Sequence, residues 1–337
     1  MATKAQRLVP QLLRAINARD LDAARAALDA GADPNGTGGY NAKPLLTAAS
    51  IHGDAVAREA LVRLLLERGA DPNDRGPYPH DNRPVFYAAH CGYDPVVRLL
   101  IDAGGLPRDA SGDHARNSDG ATILAVASAG GLLWLMRRAL DEGCRADALD
   151  AHGGTALHEA ARAVTVDGAT KDTAAALTLL LDAGAPLEHQ RSDDWGTALH
   201  WAVGLGDRAA VETLLARGAA LEACTPKSAY RPLHFGGKSG RGESVRAALT
   251  AGAQVDPRDL AGRTPLHHAA QRVGHLATLD ETEHVLRALI EHGADRAAVD
   301  AKGDTPRAVA LARLEPQSRT SPKPTDAQRA LVALLAP

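Results

Sequence analysis

Between Gly153 and Leu221 the chain twice sets a short apolar phrase against a polar turn. Gly154-Thr155-Ala156-Leu157-His158-Glu159-Ala160-Ala161 leads into the apolar run Ala174–Leu181, closed by Asp182-Ala183-Gly184-Ala185. Gly196-Thr197-Ala198-Leu199-His200-Trp201-Ala202-Val203 repeats the opening and Leu214-Leu215-Ala216-Arg217-Gly218-Ala219 repeats the close. Each copy predicts a helix, a turn, a second helix and a glycine stop, the signature of a repeat protein.

The phrase recurs along the chain. It opens at Lys43-Pro44-Leu45-Leu46, Arg83-Pro84-Val85-Phe86, Thr122-Ile123-Leu124-Ala125, Arg231-Pro232-Leu233-His234, Thr264-Pro265-Leu266-His267 and Asp304-Thr305-Pro306-Arg307. Aligning Lys43, Arg83, Thr122, Thr155, Thr197, Arg231, Thr264 and Thr305 gives spacings of 40, 39, 33, 42, 34, 33 and 41. The base period is about 33, with insertions near His52–Arg58, Arg75–Asp81, Val164–Thr173 and Gly274–Glu281. Insertions of this kind predict surface loops. The ends differ from the middle. Helices are predicted over Lys4–Ala18 and Leu21–Asp29, ending at Gly31 and Pro34, where a left-handed residue and a non-helical one are wanted. A Pro/Ser/Thr-rich stretch, Glu315–Thr325, precedes a short helix over Asp326–Ala336 with Thr325 or Asp326 as its N-cap.

Thr-Pro-Leu-His-His-Ala-Ala at 264–270 and Gly-Ala-Asp-Pro-Asn at 69–73 resemble the ankyrin repeat family, and the resemblance covers nearly the whole chain. It implies an all-α solenoid of about nine repeats with β-turn fingers and helical caps. The expected division is an N-terminal capping repeat at 1–36, seven repeats at 37–303 and a C-terminal capping repeat with a final helix at 304–337. The residues agree physically. Proline in the first helical turn loses no needed N–H. Paired alanines let helices approach, and runs such as Leu64-Leu65-Leu66 and Leu179-Leu180-Leu181 fill the seam between repeats. No repeat buries its apolar face alone, so stacking supplies the core.

Composition removes several function classes. A net charge of −3 provides no broad basic field for nucleic acid. Three distant cysteines, Cys91, Cys144 and Cys224, form no CxxC, which argues against a disulfide framework or zinc site and for a reducing, cytoplasmic setting, with a secreted effector as the alternative. The most apolar window, Ala121–Met136, is too short to span a bilayer, and the N-terminus lacks a signal-peptide core. Arginine far outnumbers lysine and alanine is abundant, as in a GC-rich bacterial gene.

The motifs that would suggest catalysis or metal binding are incomplete. His158, His200, His234 and His267 occupy one place in four repeats. The family resemblance implies that this histidine and its threonine make turn-fixing hydrogen bonds rather than a metal row. Arg162 stands where HExxH needs its second histidine. Gly236-Gly237-Lys238-Ser239-Gly240 resembles a phosphate cradle but lies in a first helix with no preceding strand. No cofactor, metal or catalytic set is expected.

The aromatic residues point elsewhere. Eight of ten fall on turns or first helices, the layers that in ankyrin proteins form fingers and a concave groove. Tyr87, Trp201 and Phe235 each follow the histidine position, and Tyr78 and His80 sit on a lengthened finger. Aromatic and arginine side chains anchor many interfaces. Asp193 and Asp194 beside Trp195, Glu159 before them, and Lys227, Lys238, Arg241 and Arg272 after predict a groove acidic on one side and basic on the other. The expected function is non-enzymatic capture of a protein partner by a monomer, through Tyr78, His80, Tyr87, His90, Glu159, Asp193, Asp194, Trp195, Trp201, Tyr230, Phe235 and Lys238. An immunity protein or enzyme inhibitor, a bacterial effector and a small-molecule enzyme are the rival readings.

Overall fold

A computed structural model describes residues 3–75, 83–105, 116–162, 171–192, 194–239, 241–275, 278–314 and 323–337. The chain forms two compact units, Met1–Ala151 with Val164–Asp172, and His152–Ala163 with Thr173–Pro337.

Unit 1 contains α1 (Lys4–Asn17), α2 (Leu21–Asp29), α3 (Pro44–Ala49), α4 (Ala55–Glu67), α5 (Pro84–His90), α6 (Asp94–Asp102), α7 (Ile123–Gly130) and α8 (Leu133–Asp141). Successive helices pair, and like members of neighbouring pairs pack on one another, α1 on α3, α3 on α5, and α5 on α7. The paired alanines lie in the seam: Ala48, Ala49, Ala88 and Ala89 are fully buried. Gly69 adopts φ +83° after α4. That left-handed turn lets its own N–H and that of Ala70 reach the carbonyls of Leu66 and Leu65 at 3.0 and 2.9 Å, closing the helix. The stop phrase also clamps the next turn. Asn35 Nδ2 donates to the Gly69 carbonyl at 2.9 Å, and the Asp71 N–H donates to Asn35 Oδ1 at 2.7 Å.

The insertion at His52–Arg58 was expected as a loop, but its second half begins α4. The extra turn holds because Arg58 is buried, donating to the Ile51 carbonyl at 2.6 Å with its guanidinium 3.3 Å above the Tyr93 ring. The insertion at Gly274–Glu281 behaves similarly, since α16 of unit 2 begins at Leu279.

Unit 2 contains α9 (Ala156–Ala160), α10 (Thr173–Asp182), α11 (Ala198–Leu205), α12 (Arg208–Ala216), α13 (Pro232–Ser239), α14 (Gly242–Thr250), α15 (Pro265–Gln271), α16 (Leu279–Glu291), α17 (Pro306–Leu314) and α18 (Asp326–Leu334). First helices stack as α9, α11, α13, α15 and α17, and second helices as α10, α12, α14 and α16. Thr325 caps α18 through a capping box with Gln328, whose Nε2 donates to the Val273 carbonyl at 3.0 Å. Leu331 and Val332 on α18 are buried.

The recurring histidines tie each repeat of unit 2 to the next. The N–H of Thr155, Thr197, Arg231 and Thr264 donates to Nδ1 of His158, His200, His234 and His267 at 3.2, 3.1, 3.0 and 3.2 Å. Because Nδ1 accepts, Nε2 carries the hydrogen. It donates to the carbonyl of Gly196, Tyr230, Arg263 and Asp304, one repeat further on, at 3.2, 3.1, 3.2 and 3.0 Å. Among the described residues, no three His, Cys, Asp or Glu side chains are placed to hold a metal ion.

The glycines of the cradle-like stretch have a packing role. A Cβ on Gly237 would collide with the Pro265 carbonyl, and one on Gly236 would meet Val245 and Val203. They let α13 lie close against α11 and α15.

Two outcomes test these contacts. A Cβ on Gly130 would collide with the Ala89 carbonyl, so Gly130→Ala destabilises the protein by about 1–3 kcal/mol in denaturant unfolding, although alanine normally favours a helix by about 1 kcal/mol. Burial holds His158, His200 and His234 down at about 4, and lowers His267 as well. Unfolded histidines take up protons below about pH 6.5 while the native ones stay neutral. Stability is therefore full above that value and falls as pH drops toward 4, by on the order of 1 kcal/mol per pH unit for each histidine. His200→Gln, which keeps a capping-box partner at N3, lowers stability at neutral pH but flattens the acid slope measured by urea unfolding.

Candidate functional site

In unit 2 the residue after each recurring histidine falls on one row, Glu159, Trp201, Phe235 and His268. The first helices carry these side chains toward the turns that precede them, and the turn residues cover them. Trp195 lies on Trp201 with ring centres 5.6 Å apart, and the Trp201 indole N–H donates to the Trp195 carbonyl at 3.1 Å. Trp195 also meets Phe235 at 6.0 Å, and Tyr230 meets Phe235 at 6.0 Å and His268 at 5.3 Å. The consequence is a division of labour. Trp201 and Phe235 are buried, at 6% and 8% exposure, while Trp195 keeps 46%. Tyr230 is half-buried, and burial, then the charge of Asp259, raises its hydroxyl above the ordinary tyrosine range.

Cations frame this aromatic row. The guanidinium carbons of Arg162 and Arg191 lie 5.4 and 5.0 Å from the Trp201 ring centre. Lys238 Nζ lies 4.6 Å from the Tyr230 ring centre and 5.8 Å from that of Phe235. Such contacts fix a long cationic side chain without neutralising it. The carboxylates are engaged inside the unit. Glu159 pairs with Arg162 at 3.2 Å. Asp194, at φ +68°, accepts the Lys227 N–H at 2.9 Å. Burial opposes its charge, yet hydrogen bonds from Ser228, Lys227 and Thr225 leave its carboxyl below the usual range. Asp259 bonds His268 Nε2 at 2.9 Å, both side chains being 3% exposed. The predicted separation into an acidic and a basic side is thus replaced by a row of rings with cations on their faces.

Tyr87 and His90 belong to α5 in unit 1. His52 sits between two hydroxyls, Tyr87 at 2.8 Å on Nε2 and Tyr93 at 2.7 Å on Nδ1. Burial first, and then the neighbouring Cys91, raises the Tyr87 hydroxyl. His90 is exposed. Tyr78, His80 and Asp193 lie outside the described residues.

Some residues of this face escaped the sequence reading. Arg162 is one turn after Glu159, a spacing that could have revealed it. Leu260 and Val299, on later turns, are 74% and 46% exposed. A lone apolar residue in a polar turn was their one signal.

Among the described residues no helix is long and apolar enough to cross a membrane. An ankyrin repeat family model matches residues 199–281 in three copies. The mouse B-cell lymphoma 3 protein homolog is 33% identical over 181 residues, 53% of this chain and 37% of the relative. Human B-cell lymphoma 3 protein is 33% identical over 235 residues, 68% of this chain and 47% of the relative. The chain spans less than half the length of each. The solved ankyrin repeat domain of human ASB11 shares the fold with a TM-score of 0.51 at 23% identity, covering 76% of this chain and 99% of that one. These relatives are mammalian, so the bacterial source expected from composition finds no support among them. The repeated phrase, the stacked helix pairs and these likenesses converge: the chain is an all-α protein built of ankyrin repeats.

Proposed function

We propose that unit 2 grips a protein partner on the face built from Trp195, Trp201, Tyr230 and Phe235, without catalysing a reaction. The observation that carries this reading is Trp195, which is 46% exposed on top of a buried aromatic stack. An indole in that position costs little ordering on association, because Trp201 and Phe235 already hold it. Aromatic anchors of this kind carry most of the energy in many interfaces. Tyr78, His80, Tyr87 and His90 form a separate proposed contact set in the earlier repeats. The nine helix pairs found among the described residues are counted as nine repeats, the first and last as caps. The protein would act as a monomer in a reducing compartment, in keeping with Cys91, Cys144 and Cys224, which form no disulfide among the described residues.

Trp201 is a poor test of this function. It is 6% exposed, so Trp201→Ala costs packing of about 3–5 kcal/mol whatever the protein binds. Trp195→Ala separates binding from folding. We expect it to leave the unfolding transition nearly unchanged and to weaken capture of the partner by about tenfold or more. Undiminished capture by the folded variant would remove the assignment.

A further inference from the structure

We propose that the partner segment seated on this face is acidic and carries an apolar side chain that lies against Trp195. The inference rests on the interaction reading above and names the chemistry of its partner. It comes from which charges the face has already used.

Three carboxylates of the face have internal partners. Glu159 holds Arg162, Asp194 accepts the backbone of Lys227, and Asp259 is buried against His268. The exposed cations are committed differently. Lys238 rests over the Tyr230 and Phe235 rings, and Lys227 Nζ donates to the Ser192 carbonyl at 3.2 Å. Rings and a carbonyl orient an ammonium but do not neutralise its charge. Neither lysine forms an ion pair among the described residues. Both ammonium groups are therefore held on the neighbours of Trp195, Lys238 on the Phe235 ring that meets it and Lys227 on the backbone of Ser192, and the exposed indole invites an apolar group.

A segment with carboxylates flanking an apolar residue matches this arrangement. The carboxylates would meet Lys227 and Lys238, and the apolar group would cover Trp195. Charge complementarity of this sort sets specificity and association rate more than raw affinity. A nucleic acid fits less well. The cations are few, the chain's net charge is −3, and Trp195 and Leu260 present apolar surface that a phosphate backbone does not use.

The test is selection from a random displayed peptide library on the immobilised full-length protein. We expect the selected peptides to be net negative with an aromatic or aliphatic residue among the acids. A selected peptide, synthesised with a fluorophore and titrated by anisotropy, should bind about tenfold or more weakly to the Lys227→Glu/Lys238→Glu variant. The Lys227→Gln/Lys238→Gln variant should lie between, and added salt should weaken the wild-type complex. Circular dichroism checks that both variants are folded. Neutral or basic selected peptides, affinity unmoved by either double variant, or displacement by a single-stranded oligonucleotide as effective as by unlabelled peptide would each overturn the acidic class. The two readings fail separately. Peptides of any charge whose binding is lost with Trp195→Ala leave the interaction face standing, whereas peptides indifferent to Trp195→Ala overturn both.

Discussion

The structure depends on a buried imidazole with two obligations. In α9, α11, α13 and α15 the histidine accepts at Nδ1 the N–H that starts its own helix and donates its one hydrogen, on Nε2, to a carbonyl of the following turn. The N–H would otherwise lack a partner, at a cost of about 1–3 kcal/mol, and the carbonyl, which already accepts an N–H within its own turn (from Arg191, Thr225, Asp259 or Asp300), gains a second bond. One side chain thus satisfies the start of a helix and the seam beside it. The pair geometry inside a repeat and the stacking between repeats become a single requirement. A neutral ring is essential, because a proton on Nδ1 would turn its acceptor into a donor facing another donor.

That requirement also places the interaction face. With the histidine pointing into the seam, the next residue points to the side of the turns. Glu159, Trp201, Phe235 and His268 follow from it. Where the residue is aromatic, the preceding turn brings a second ring to cover it, Trp195 on Trp201 and Tyr230 on Phe235. The covering ring stays partly exposed because it is the outermost layer. Lys238 then lies on rings rather than on an acid, and keeps its charge available.

Close approach of the helices is the complementary constraint. Gly130 against Ala89 in unit 1, and Gly236 and Gly237 against Val203, Val245 and Pro265 in unit 2, leave no room for a methyl group. Ankyrin repeats use alanine at much of this seam, as Ala48, Ala49, Ala269 and Ala270 show. Glycine appears where the backbones come nearer still. The stretch that looked like a phosphate cradle is one of these places.

Much of this was legible in the chain itself. The 33-residue period, the glycine stops, the proline and threonine starts and the capping helix at Asp326 are local signals, because helix caps and left-handed turns involve residues only a few positions apart. The sequence alone therefore determined the helix pairs, their order and the all-α repeat fold. It could not say which ring lies outermost, that Trp201 is covered while Trp195 is open, or that Glu159 and Asp194 are already engaged within the protein. Those facts depend on residues brought together across repeats, such as Asp194 with Lys227. Local pattern carries the periodicity of burial, but the pairing of charges and the order of layers are properties of contact, and only the tertiary structure decided them.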